Sequence, residues 1–117
     1  MAAILLIDDD RLFLELVRDS LLGAGHAVDE AFSGEEGMQA FSRRPHDLVI
    51  TDIVMDRGEG IEIIRAFRAE APDLPIIAMS GNQQYLKAAG KLGATRTLLK
   101  PFRTAELLTC LDDLAIA

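Results

Sequence analysis

The chain has almost no cysteine: Cys110 is the only one among 117 residues. A lone thiol forms no internal disulfide, which agrees with a reducing compartment. Its leucine-rich surroundings mark Cys110 as a small core or boundary residue rather than a redox centre. Long apolar runs are missing too. None approaches the roughly 20 residues that cross a bilayer, so no membrane insertion is expected. Positive charge is scarce: 12 Lys and Arg stand against 19 Asp and Glu, for a net charge of −7 and no Lys/Arg cluster. Phosphate backbones are repelled by such a surface, which argues against direct binding of nucleic acid. The opening stretch MAAILLIDDD has no basic n-region. A secretory signal is therefore not expected, and a cytoplasmic location is. Internal repeats, linkers and low-complexity tracts are absent as well.

What is present is a set of short apolar runs at regular intervals. Half of the residues are apolar, enough for a core, and the length fits one domain over residues 1–117. Ala3-Ile4-Leu5-Leu6-Ile7 contains no polar residue, the pattern of a strand buried on both faces. Leu12, Phe13, Leu16, Val17 and Leu21 follow at helical spacing, closed by Gly23 and Gly25. A weaker strand covers Ala27 to Ala31. Ser33 then precedes Glu36 by three residues, a capping-box arrangement for a helix running to about Arg43. Pro45 breaks it, and Leu48-Val49-Ile50 begins a third strand that ends at Asp52. The remaining units are a helix near Gly60 to Glu70, a strand Pro75 to Met79, a helix near Gln83 to Leu92, a strand at Leu98-Leu99, and a last helix from about Thr104 carrying Leu107, Leu108, Leu111 and Leu114.

Five repetitions of strand then helix predict an α/β protein with a parallel sheet covered on both faces. Closed barrels of this kind use eight units, so five imply an open, doubly wound, flavodoxin-like (βα)5 sheet, with the order 2-1-3-4-5 expected at the level of the fold.

In such sheets chemistry collects beyond the carboxyl ends of the strands. The first strand ends in Asp8-Asp9-Asp10, the third in Asp52, the fourth in Ser80 and the fifth in Lys100; the second offers only Ser33. Grouped carboxylates raise one another's pKa unless a cation intervenes. Mg²⁺ accepts a few carboxylates together with water and phosphate. Acids at a helix start also complement its dipole, and Asp10 is read that way, as an N-cap. A carboxylate is also a nucleophile able to form an aspartyl phosphate. Lys100, at a strand end just before Pro101, then supplies a point charge, and the Ser80 hydroxyl can bond a phosphoryl oxygen.

IDDD at the first strand, DLVITDIVM at the third, IIAMSG at the fourth and LLKPF at the fifth resemble response-regulator receivers, with separations of 43, 28 and 20 positions between Asp9, Asp52, Ser80 and Lys100. The resemblance implies that Asp52 is the phosphoacceptor and Asp8 and Asp9 the acidic pocket. It also implies Mg²⁺, with Mn²⁺ able to substitute, held by Asp9, Asp52 and the Val54 carbonyl directly and by Asp8 through water. Ser80 matches the switch hydroxyl, followed by Gly81 where Ala is more frequent. Lys100 matches the pocket lysine, and a cis Lys100-Pro101 bond is implied. Asp56 replaces the usual Pro after Met55. Thr97 stands where an aromatic usually swings between exposed and buried rotamers, which puts the ordinary read-out in doubt.

The implied function is that of a phosphoacceptor receiver in a two-component system or phosphorelay. A histidine kinase or histidine phosphotransfer protein is the expected donor. A downstream protein is expected on the face of the fourth helix, fifth strand and fifth helix, since no effector domain is expected within 117 residues. Such a receiver is not an enzyme in the turnover sense, because it catalyses only its own phosphorylation and dephosphorylation. Three rivals differ in class. An Mg²⁺-dependent aspartyl-phosphate phosphatase needs a second acid two residues after the nucleophile, where Val54 stands. A flavin binder needs a phosphate loop after the first strand and more aromatics than the 5% present. A phosphate-independent scaffold is favoured only by Thr97. His26 and His46, in turns before strands, are expected to be solvated. Phe13, Phe32, Phe41, Phe67, Phe102 and Tyr85 are expected to pack, Tyr85 least firmly.

Overall fold

A computed structural model of the chain describes residues 1–54 and 60–116. The order of elements is β1 (Ala3–Ile7), α1 (Arg11–Gly23), β2 (Ala27–Ala31), α2 (Gly34–Arg43), β3 (Leu48–Asp52), α3 (Gly60–Glu70), β4 (Ile76–Ser80), α4 (Gln83–Leu92), β5 (Arg96–Leu99) and α5 (Thr104–Asp113). The strands form one parallel sheet in the order β2-β1-β3-β4-β5, as the alternation predicts.

Side chains alternate across each strand, so the sheet divides the core in two. Leu5, Ile7, Val49, Ile76 and Ala78 point to one face, where Ile63, Ile64 and Phe67 of α3 and Leu86 and Ala89 of α4 cover them. Ile4, Leu6, Leu48, Ile50, Ile77, Met79 and Leu98 point to the other, against Leu14, Val17 and Leu21 of α1 and Leu107 and Leu111 of α5. The central β3 and β4 are buried at every position, whereas the edge strands β2 and β5 each keep exposed residues.

Helix starts follow local chemistry. Asp10 accepts a hydrogen bond from Phe13 N at 3.2 Å and so caps α1. Ser33 accepts from Glu36 N at 3.1 Å, and the Glu36 carboxylate accepts from Phe32 N at 3.3 Å. Strand β4 starts at Ile76 instead of Pro75, because proline has no N–H for the ladder; the Pro75 carbonyl still accepts from Val49 N at 3.1 Å.

Two readings of the sequence are corrected. Leu12 and Leu16 belong to the expected apolar stripe of α1 yet are 75% and 65% exposed. At about 100° per residue they lie opposite Leu14, Val17 and Leu21, and only one stripe can meet the sheet. The histidines are not simply solvated. His46 is buried, with Nε2 at 2.7 Å from Asp29 Oδ2 and its ring stacked on Phe41, and His26 Nδ1 accepts from Ala2 N at 3.1 Å. Both turns fold back toward strand ends and polar groups that need partners. Among the described residues no helix is long and apolar enough to cross a membrane.

Candidate functional site

Because the strands run parallel, their carboxyl ends share one edge of the sheet. Register pairs Ile7 with Thr51, Asp52 with Met79, and Ser80 with Leu99. Asp8 and Asp52 therefore emerge side by side from neighbouring strands, and Lys100 emerges just past the end of β5. Asp8, Asp52 and Ser80 are 0%, 5% and 1% exposed, while Asp9 is the more open of the acids.

The Lys100 ammonium donates to Asp8 Oδ2 at 2.8 Å and to Asp52 Oδ2 at 3.0 Å. Each carboxylate uses its other oxygen on a backbone amide: Asp10 N donates to Asp8 Oδ1 and Val54 N to Asp52 Oδ1, both at 2.9 Å. Asp8, Asp9 and Asp52 each offer an oxygen, and these atoms lie within 4.8 Å of one another. Burial pushes the Asp8 carboxyl up to about 6, against the Lys100 hydrogen bond and the Asp10 amide, which favour its charged form. Burial also works against the Lys100 ammonium, but the two carboxylates outweigh it and hold the amine above the ordinary lysine value.

Three hard oxygen donors within reach of one another, two of them on buried side chains, are what a small divalent cation accommodates. The residues present therefore fit Mg²⁺.

Ser80 lies at the same edge. Its hydroxyl accepts from Asn82 N at 3.0 Å, and its carbonyl accepts from Lys100 N at 2.8 Å. Asn82 caps α4 by accepting from Gln84 N and Tyr85 N at 2.9 and 3.1 Å. Gly81 has open space where a Cβ would stand. The Lys100–Pro101 peptide is cis. Val54 contributes its backbone, its side chain being exposed. Thr97, in β5, pairs with Ala78 of β4 and is exposed. Met55 and Asp56 lie outside the described residues.

One neighbour of the site escapes the sequence reading. Phe13, expected only to pack, places its ring centroid 4.2 Å from Lys100 Nζ and meets the Phe102 ring edge-to-face at 5.4 Å. The available signal is its place in the first turn after the acidic run.

The family model for the response regulator receiver domain matches residues 4–112. "Response regulator MprA" of Mycobacterium sp. (strain KMS) is 36% identical over 107 residues, which is 90% of this chain and 46% of that protein. The protein of the same name from Mycobacterium leprae (strain TN) is 36% identical, over 90% of this chain and 47% of its own length. The chain thus spans about half the length of the curated relatives it matches. Among solved structures, the receiver domain of NtrX from Brucella abortus superposes with a TM-score of 0.91 at 28% identity, covering 97% of this chain and 99% of that one. The chemotaxis protein CheY4 of Vibrio cholerae gives 0.89 at 28% identity, covering 97% and 98%.

Proposed function

Since the chain belongs to the response regulator receiver family, we propose that it takes a phosphoryl group onto Asp52 from a partner's phosphohistidine. Receivers of this family act with histidine kinases and downstream effectors in two-component systems. The observation that carries the reading for this chain is the Lys100 ammonium, bonded at once to Asp8 and Asp52, residues 92 and 48 positions away in sequence.

In the transfer, an Asp52 carboxylate oxygen attacks phosphorus. An O–P bond forms as the P–N bond of the phosphoimidazole breaks, and the imidazole nitrogen keeps the electron pair and takes up a proton. Hydrolysis reverses the modification: water attacks phosphorus, the acyl O–P bond breaks, and inorganic phosphate leaves with the Asp52 carboxylate restored. The chain is thus altered once per cycle and acts on no further substrate, a phosphoacceptor rather than a turnover enzyme. Asp9, Asp52 and the Val54 carbonyl would hold Mg²⁺ (or Mn²⁺) directly, with Asp8 behind a water. Bound there, the ion would supply positive charge to offset that of the phosphoryl oxygens.

Lys100 is placed to move one donor from Asp52 to a phosphoryl oxygen. Ser80, now accepting from Asn82 N, is placed to donate to another, with Gly81 giving the loop room. Leaving Asn82 disturbs the cap of α4, so the α4–β5–α5 face responds. Exposed Tyr85 and Leu99 on that face support docking of a downstream protein there, with Thr97 in place of an aromatic read-out. The donor is a histidine kinase or histidine phosphotransfer protein.

The test is incubation with acetyl phosphate, with and without Mg²⁺, followed by intact mass. Wild type gains one labile phosphoryl group only with the metal, and Asp52→Asn gains none. Label persisting in that variant removes Asp52 as acceptor, and a wild type that never labels supports a phosphate-independent scaffold.

A further inference from the structure

We propose that Phe13 is a positioning residue for Lys100, its ring face seating the ammonium between Asp8 and Asp52; this rests on reading Asp52 as the phosphoacceptor. A lysine amine sits on a flexible four-carbon stem and carries three donors. Two are spent, at 2.8 Å on Asp8 and 3.0 Å on Asp52. The Phe13 ring adds a further contact, its centroid 4.2 Å from Nζ, within the range over which a ring's negative face attracts a cation.

The ring is itself held. Phe13 stands in the first turn of α1, its N–H bonded to Asp10, the residue after the acidic pair. Its position is locked by the Phe102 ring at 5.4 Å and an interplanar angle of 88°. Phe102 follows the Lys100–Pro101 pair, so the lysine and its seat are tied through both chain segments. Phe13 is not a core plug either: it is half-buried and lines an open groove between α1 and α5 with Leu16, Val17 and Thr104.

An aromatic face suits this place chemically. It attracts the ammonium without accepting a strong hydrogen bond, so it does not compete with an incoming phosphoryl oxygen for a donor. A carboxylate there would compete, and an aliphatic chain would not attract the charge. As Lys100 exchanges Asp52 for a phosphoryl oxygen, the ring contact persists through the exchange and keeps the amine on target.

The experiment compares wild type, Phe13→Leu and Phe13→Tyr in the Lys100 and Lys100→Met backgrounds. Labelling by acetyl phosphate at saturating Mg²⁺ is followed by mass, and the Lys100 side-chain protons by NMR. Phe13→Leu is expected to slow labelling about tenfold, a change of about 1.4 kcal/mol in the barrier, and Phe13→Tyr to restore it to within about twofold. In the Lys100→Met background Phe13→Leu is expected to cost less than about twofold. Upfield ring-current shifts of the Lys100 methylenes are expected in wild type and are lost in Phe13→Leu. An equal slowing in both backgrounds overturns the proposal, since the ring would then act without the lysine. An undiminished rate in Phe13→Leu overturns it as well. A wild type that does not label defeats the acceptor reading instead. The ring-current shifts then decide alone whether Phe13 seats Lys100, and their absence in wild type overturns the proposal.

Discussion

Two charged clusters sit on the same sheet, and they are built with opposite balances. At the carboxyl edge, Asp8 and Asp52 share the single ammonium of Lys100, with Asp9 close by. On edge strand β2, the single carboxylate of Asp29 is shared by two bases, the Arg44 guanidinium and the imidazole of His46. Among the described residues the first cluster sets two buried carboxylates on one ammonium, and burial lifts Asp8 to about 6. The second has a carboxylate fully provided for, and hydrogen bonding from Arg44 holds Asp29 below the usual carboxylate range. Two buried carboxylates that share one ammonium keep oxygen lone pairs for a cation and for phosphoryl chemistry. A satisfied carboxylate closes a structural contact and leaves nothing to react.

The sharpest separation of the two is chemical. Asp52→Asn abolishes labelling outright, whereas Asp29→Asn leaves its rate within about twofold of wild type. A large fall in the Asp29 variant, measured by intact mass under the same conditions, breaks the distinction. Removing the shared base of the first cluster comes next. Lys100→Met slows labelling roughly 30-fold, on a charge-assisted hydrogen bond of about 2 kcal/mol. Chelation of divalent cations stops labelling, read by intact mass, and leaves the stability difference between wild type and Asp29→Asn unchanged, read by urea unfolding.

Stability should move in opposite directions. Asp8→Asn removes a carboxylate that the fold holds at a raised pKa. It should stabilise the metal-free protein at pH 7 by up to about 3 kcal/mol, since every tenfold change in proton affinity between folded and unfolded chain is worth about 1.4 kcal/mol. Asp29→Asn should destabilise it by about 1–2 kcal/mol, because the charged acceptor shared by Arg44 and the Nε2 of buried His46 becomes a neutral amide. Urea unfolding of both variants decides this, and an Asp8 variant less stable than wild type would sink the comparison.

The smallest effect is on the acid limb of the stability curve. Asp8 is raised in the fold, so its contribution is fully favourable only below the unfolded value near 4. It is lost as pH climbs through about 6. Asp29 is lowered, so its contribution is present above about 4 and lost as pH falls through its folded value. Metal-free wild type should therefore gain stability from pH 7 toward 5 more than Asp8→Asn does, and the limb below 4 should be flatter in Asp29→Asn.

Much of the site could be read in the chain because each part announced itself locally. Asp8, Asp52, Ser80 and Lys100 each stand at the carboxyl end of an apolar run, where a strand reaches the edge of the sheet. The Asp29 cluster and the Phe13 contact carried no such mark. Asp29 lies inside a weak strand, and its partners Arg44 and His46 follow the next helix. Phe13 looked like one more apolar residue of α1.

Local pattern along the chain settled the alternation of strands and helices, the caps of α1 and α2, the breaks, and which polar residues would stand at strand ends, because these depend on neighbours within a few positions. Tertiary structure alone decided that α1 buries Leu14, Val17 and Leu21 while leaving Leu12 and Leu16 outside, since both stripes satisfy helical spacing and only the sheet selects one. It alone also decided that Lys100 stands between two carboxylates with a ring beside it. Those distances join β1, β3, β5 and α1, and no local pattern encodes a contact among groups that meet only when the sheet is assembled.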